Sequence, residues 1–130
     1  MSFTIWSAHI AVTEGGQEVP ISSKGCHSGH SHVLALIVLE SDFEVELTQR
    51  WYNAVGQTVY VHSWLQPSLP EPREMAVGIQ TALLGPHNGT CLFTLEVNGH
   101  SAISLPFSYR PWVIYDQWGR LSLLQGTLSF

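Results

Sequence analysis

Residues 90–109, which read TCLFTLEVNGHSAISLPFSY, constrain the fold of this chain more than any other segment. Apolar and polar residues alternate on both sides of the dipeptide Asn98-Gly99. Two segments with a period of two, separated by Asn-Gly, are typical of a β-hairpin. The segment therefore predicts two antiparallel strands that share one apolar face.

The length of the hairpin loop decides which residues lie opposite each other. A two-residue turn at Asn98-Gly99 would place Leu95 opposite Ala102, whereas a loop of odd length places Leu95 opposite Ile103. Only the second register keeps the apolar residues of both strands together. We therefore expect a three-residue loop with Gly99 in the left-handed backbone conformation, which glycine adopts without a steric penalty.

Short alternating or apolar segments recur along the chain and predict further strands: residues 3–12, 33–39, 43–52, 58–65, 75–84, 112–115 and 121–124. The proline-rich residues 66–72, QPSLPEP, predict a loop that crosses between sheets. Short strands with turn signals every 8–12 residues or so are typical of a sandwich. We predict one all-β domain over residues 1–130, an antiparallel β-sandwich with little or no helix.

The segment 33–39, VLALIVL, is apolar on both faces of the strand that it predicts. Such a strand suits the centre of a sheet that is covered on both sides. The alternative is a strand with one of its faces against another subunit.

Two motifs carry a family resemblance over residues 33–109. The first is RWYN at the end of a predicted strand, and the second is GTCLFTLEVNG followed by LPFSY in the hairpin. With the proline-rich crossing between them, these residues resemble an immunoglobulin-like β-sandwich of the bacterial or viral type. The resemblance implies adhesion or assembly rather than catalysis.

The composition restricts the partners that this chain can bind. Apolar residues make up 45% and charged residues only 12% of the 130 residues, so we expect a partner to cover some apolar surface. The net charge of −5 argues against a nucleic acid or an anionic membrane as that partner. A protein partner or a homo-oligomer is the expectation, and a carbohydrate is the alternative.

The N-terminal sequence and the hydropathy pattern bear on location. MSFTIWSAHI lacks the basic, apolar and small-residue regions of a signal peptide, and no segment approaches the roughly 18 apolar residues of a membrane span. We expect no membrane insertion and a cytoplasmic location. A virion component is the alternative.

The loop SSKGCHSGHSH, residues 22–32, contains the densest group of potential metal ligands. His30 and His32 would point to the same side of a strand, and Cys26 could complete the site as a thiolate. These three residues predict a site for zinc or a similar divalent metal. The alternative is an exposed polar loop whose histidines titrate near neutral pH.

The second candidate site is an aromatic surface on the strands 43–52 and 58–65. Its predicted partner-binding residues are Arg50, Tyr52, Tyr60, His62 and Trp64. Aromatic rings and arginine are typical anchors of protein interfaces, and rings also stack on sugars. We expect these residues to share one outer face, with the other side of the second strand facing the core. The alternative is a second buried face.

Three hypotheses for function follow from these patterns. The first is a non-enzymatic module that self-associates or docks on a protein partner, and it rests on the low charge, the apolar segment 33–39 and the aromatic surface. The second is a metal-binding protein or metal-dependent enzyme that uses residues 26–32. The third is a carbohydrate-binding sandwich. The sequence contains no nucleophile elbow and no phosphate-binding loop, so we predict no catalytic residues.

Overall fold

The computed structural model describes residues 1–21, 25–111, 113–115 and 121–123, with side chains up to residue 111. These residues form eleven strands: β1 (Phe3–Glu14), β2 (Gln17–Pro20), β3 (Cys26–His27), β4 (His32–Ser41), β5 (Val45–Tyr52), β6 (Thr58–Gln66), β7 (Leu69–Gln80), β8 (Gly89–Val97), β9 (His100–Arg110), β10 (Val113–Tyr115) and β11 (Leu121–Leu123). In the described part of the chain, the one helical element is a 3₁₀ turn at Thr81–Leu84. The predicted all-β class is confirmed.

The strands form two large sheets and one small pair. The first sheet has the order β2-β1-β4-β7, and the second has the order β3-β9-β8-β5-β6. Neighbours within the two sheets are antiparallel except for the short parallel pair of β3 and β9. The pair β10-β11 confirms the predicted C-terminal hairpin strands, and the turn predicted between them lies outside the described residues.

One apolar core holds the two sheets together as a sandwich. Trp51 of β5 lies at its centre, with no exposed surface, and its ring centroid is 4.7 Å from that of Phe93 and 5.9 Å from that of Phe107. The indole Nε1–H of Trp51 donates to Oε1 of the buried Gln49 at 2.9 Å, so its polar atom is satisfied. Both cysteines, Cys26 and Cys91, are buried in this core and are not bridged.

The hairpin of β8 and β9 has the predicted facing residues but a different loop. Leu95 pairs with Ile103 as expected. The loop, however, is a two-residue turn in which Asn98 and Gly99 have φ angles of 50° and 83°. The three-residue loop was wrong, because one extra residue in β9, Ala102, forms a bulge that shifts the register after the turn. The left-handed conformation of Gly99 is confirmed.

Strand β4 is the central apolar strand that the sequence predicts. It pairs with β1 on one side and with β7 on the other. Its inner side chains are fully buried: Val33, Ala35, Ile37 and Leu39. The outer side chains between them, Leu34, Leu36 and Val38, are half-buried.

Strand β7 begins earlier and ends earlier than the sequence predicts. It contains Pro70 and Pro72, so only Pro67 and Ser68 remain as the crossing between the sheets. Prolines are tolerated here because β7 is at the edge of its sheet, and the pairing with β4 is irregular at that point. The predicted strand end, 81–84, is instead the 3₁₀ turn.

Among the residues that the structure describes, no helix has the length and apolar character of a membrane span.

Candidate functional site

Strand β6 forms an exposed edge of the second sheet. It pairs with β5 along its length, and within the described residues no strand pairs with its other side. An edge strand presents a row of backbone N–H and C=O groups that another chain can pair with. The chemistry of this edge therefore depends on the side chains that β6 presents on its two faces.

A bulge near the start of β6 sets these faces. Tyr52 pairs with Thr58 and Trp51 pairs with Tyr60, so Val59 is an extra residue in β6. Paired residues of an antiparallel sheet share a face, and one extra residue moves all following side chains to the other face. After Val59, the even-numbered residues of β6 therefore point into the sandwich.

The predicted five-residue surface is divided by this bulge. Tyr60, His62 and Trp64 lie opposite core-facing residues of β5, on the inner side of the sheet. Arg50 and Tyr52 lie on the outer side. The expectation that all five share one outer face was wrong. It assumed regular pairing along the whole of β6, whereas the extra residue Val59 shifts the pairing by one position.

The outer side carries the Arg50 ion pair. The guanidinium Nε of Arg50 is 2.6 Å from Oε1 of Glu96, and this hydrogen bond raises the pKa of Arg50. Next to Arg50, the outer side of β6 presents Val61 and Leu65, which are 44% and 62% exposed. Both were expected in the core. The sequence contained no signal for their exposure, because the bulge at Val59 is not marked by any residue type.

On the inner side of β6 the rings form a row. The centroids of Tyr60 and His62 are 6.5 Å apart, and those of His62 and Trp64 are 5.7 Å apart with an interplanar angle of 16°. The indole Nε1–H of Trp64 donates to Oε1 of Gln66 at 3.2 Å. Trp64 is half-buried and packs against the core, while Tyr60 is 38% exposed.

The row of rings borders an open groove between the edges of the two sheets. The groove has a volume of about 300 Å³ and is lined by Gln49, His62, Trp64, Met75, Ala76 and Val77. Its apolar walls come from Trp64 of β6 and from Met75 and Val77 of β7. The sandwich is therefore open where β6 and β7 diverge.

Strand β6 differs from the short edge strands and from the first half of β7, because it lacks the features that block strand pairing. Strand β2 is four residues long and ends at Pro20, and β3 is two residues long. The first half of β7 contains two prolines and three charged residues: Pro70, Glu71, Pro72, Arg73 and Glu74. Short length, proline and charge are the usual means of blocking an edge. In β6, residues 60–66 contain no proline and no formally charged residue.

The histidine loop has a different geometry from the predicted metal site. Cys26 is fully buried on β3, and burial, followed by the nearby Cys91, raises the pKa of its thiol to about 12. His30 is buried while His32 is exposed. Within the described residues no group of three or more His, Cys, Asp and Glu side chains could hold a metal ion, so Cys26, His30 and His32 are not assembled into one site.

The loop instead contains a stacked pair of imidazoles. The ring centroids of His27 and His30 are 3.8 Å apart, and Nδ1 of His30 accepts a hydrogen bond from the backbone N–H of His27 at 3.2 Å. Nε2 of His30 is 3.9 Å from Oε2 of Glu14, a residue that the sequence did not connect with this loop. A cavity of about 440 Å³ lies between this loop and the turn after β1.

Comparison of the chain with known protein families and with curated protein sequences finds no match.

Proposed function

We propose that this protein is a non-enzymatic protein-interaction module that binds its partner through the edge strand β6. The observation that carries the proposal is the unprotected segment 60–66, which combines unpaired backbone groups with the exposed Val61 and Leu65. Backbone hydrogen bonds to an added strand supply affinity, and alternate side chains supply specificity. The groove beside Trp64 offers space for side chains of the partner.

The strand order supports an immunoglobulin-like version of this sandwich. β1, β4 and β7 take the places of strands A, B and E, while β5, β6, β8 and β9 take the places of C, C′, F and G. The buried Trp51 lies on the strand in the C position and packs on Phe93 in the F position. This likeness supports an adhesion or assembly role by analogy.

A pair of matched variants tests the proposal. Leu65→Lys introduces a charge on the exposed side of β6, and Val55→Lys introduces the same charge in the exposed loop before it. We expect the wild-type chain and Val55→Lys to bind protein, measured as self-association by light scattering and as capture of proteins from a cell lysate by the immobilised chain. Leu65→Lys should lose this binding and keep the wild-type circular dichroism.

Two results would contradict the proposal. The first is a wild-type chain that binds no protein, itself included. The second is binding that Leu65→Lys leaves unchanged. Glycan binding that depends on Tyr60 and Trp64, without protein binding, would favour the carbohydrate hypothesis instead.

A further inference from the structure

We propose that the partner at β6 is a second copy of this chain, whose own β6 pairs antiparallel with the first about a two-fold axis midway between the two copies of Ser63. The two five-stranded sheets then join into one continuous sheet of ten strands. This inference rests on the proposed function of β6 as a binding edge, and it adds the identity of the partner and the register.

The backbone of an antiparallel pair is self-complementary. Under a two-fold axis perpendicular to the sheet, each copy presents the same edge, and each donor in one copy meets an acceptor in the other. Both inner faces then lie on one side of the joined sheet, which requires odd residues to pair with odd and even with even. One residue of β6 must therefore lie opposite its own copy, with the axis midway between the two.

The ends of the free segment select that residue. The bulge at Val59 interrupts regular pairing on one side, and Pro67, which has no backbone N–H, ends it on the other. The segment between them, residues 60–66, is centred on Ser63. Placing Ser63 opposite its own copy pairs all seven residues, whereas placing His62 opposite its own copy would put Leu65 opposite the bulge of the other chain.

The side chains match in this register. Val61 of each copy lies opposite Leu65 of the other, so the two exposed apolar residues cover each other on the outer face. His62 lies opposite Trp64 of the other copy on the inner face, which extends the row of rings across the interface. Residues 60–66 carry no formal charge, so the two acidic chains do not place like charges opposite each other along this edge.

Disulfide trapping tests the partner and the register together. With Ser63→Cys, the two introduced thiols face each other across the axis, and we expect a covalent dimer on mild oxidation. Leu65→Cys alone should not cross-link, because the two copies of position 65 are offset by four residues, about 13 Å. A mixture of Val61→Cys and Leu65→Cys chains should cross-link, and this arm leaves Ser63 intact if its substitution affects folding.

The wild-type chain is the control for this experiment. Its cysteines, Cys26 and Cys91, are buried, and burial keeps their thiols protonated by raising their pKa to about 12 and about 11. We expect no cross-link in the wild type, and a noncovalent dimer by light scattering. Leu65→Lys should raise the dimer dissociation constant by about tenfold or more.

Three outcomes would overturn the inference. The first is a wild-type chain that stays monomeric across a dilution series. The second is a failure to cross-link in both the Ser63→Cys chain and the mixed Val61→Cys and Leu65→Cys pair. The third is a stronger cross-link from His62→Cys than from Ser63→Cys. A monomer that still binds another protein through Leu65 overturns only the second copy as partner and leaves the proposed function standing. A chain that binds neither overturns both.

Discussion

Trp64 of β6 lies directly opposite Leu47 of β5, and this pairing places its indole on the inner side of the second sheet. The next residue, Leu65, lies opposite Glu46 and points outward. The large aromatic residue therefore packs against the core, and the smaller aliphatic one is 62% exposed. The two neighbours should contribute differently to folding and to binding.

Trp64→Ala should lower the free energy of unfolding by about 2 kcal/mol, since a fully buried aromatic ring contributes about 3–5 kcal/mol and Trp64 is half-buried. Leu65→Ala should lower it by less than about 0.5 kcal/mol in dilute, monomeric protein. Urea denaturation of both variants measures the difference. A larger loss for Leu65→Ala would contradict the assignment of the two faces.

Pairing within the sheets could be predicted where apolar residues alternate without interruption. Leu95 opposite Ile103 and the central position of β4 both follow from the apolar pattern alone. The faces of β6 could not be predicted, because they depend on the single extra residue Val59. Valine is an ordinary strand residue, so nothing in its type marks a bulge.

The histidine loop shows a second limit of sequence reasoning. Spacing placed Cys26, His30 and His32 close together along the chain, but their burial depends on distant elements. Cys26 is covered because β3 pairs with β9, and Glu14 reaches His30 from the end of β1. Contacts between residues far apart in sequence carry no local pattern.

Asn98 at the tip of the β8–β9 hairpin connects it to β5. Its backbone N–H donates to the carbonyl of Glu46 at 2.8 Å, and its Oδ1 accepts from the N–H of Glu46 at 2.9 Å. Asn98→Ala removes the second bond and places alanine at a φ of 50°, so we expect a loss of about 1–2 kcal/mol in unfolding free energy. Thermal and urea denaturation measure this loss.

Asn98→Gly is the matched control, because glycine adopts the positive φ without strain but also lacks the side-chain acceptor. It should be less destabilised than Asn98→Ala. Equal stability of the two variants would show that the backbone conformation at position 98 contributes nothing.

Gly78 of β7 allows close packing against β4. A Cβ atom at position 78 would clash with Cδ2 of Leu34 and would lie 2.6 Å from the carbonyl oxygen of Val33. Gly78→Ala should therefore lower the unfolding free energy by about 2 kcal/mol, as expected of overpacking. In a Leu34→Ala background the same substitution should cost less, since one of the two clashes is gone, and a double-mutant cycle measures the difference.

The pKa of His27 is lowered, first by burial and then by the nearby His30. Glu14 acts in the opposite direction, and Arg110 contributes a further lowering. A histidine with a lowered pKa binds its proton more weakly in the folded chain, so stability should fall as pH drops below the ordinary value of 6.5. In the wild type, Nδ1 of His27 accepts a hydrogen bond from the Gly29 N–H at 3.1 Å. His27→Asn keeps an acceptor for this N–H, and it should show a shallower loss of unfolding free energy between neutral and acidic pH. Equal slopes would contradict this role of His27.

At alkaline pH the buried thiol of Cys26 should lower the stability of the folded chain, in addition to Cys91, whose pKa burial raises to about 11. The pKa of Cys26 rises from the ordinary value of 9.0 to about 12, mainly because burial disfavours the thiolate. Above pH 9.0 the unfolded chain therefore releases this proton while the folded chain retains it. The stability that the thiol contributes is fully present below pH 9.0 and is lost as the pH rises towards 12. The contribution of one such thiol is about 1 kcal/mol per pH unit.

Cys26→Ala removes the titrating group and should show a shallower loss of unfolding free energy than the wild type in urea denaturation across that range, whatever its stability at neutral pH. The same slope in both chains would mean that Cys26 ionises alike in the folded and unfolded states.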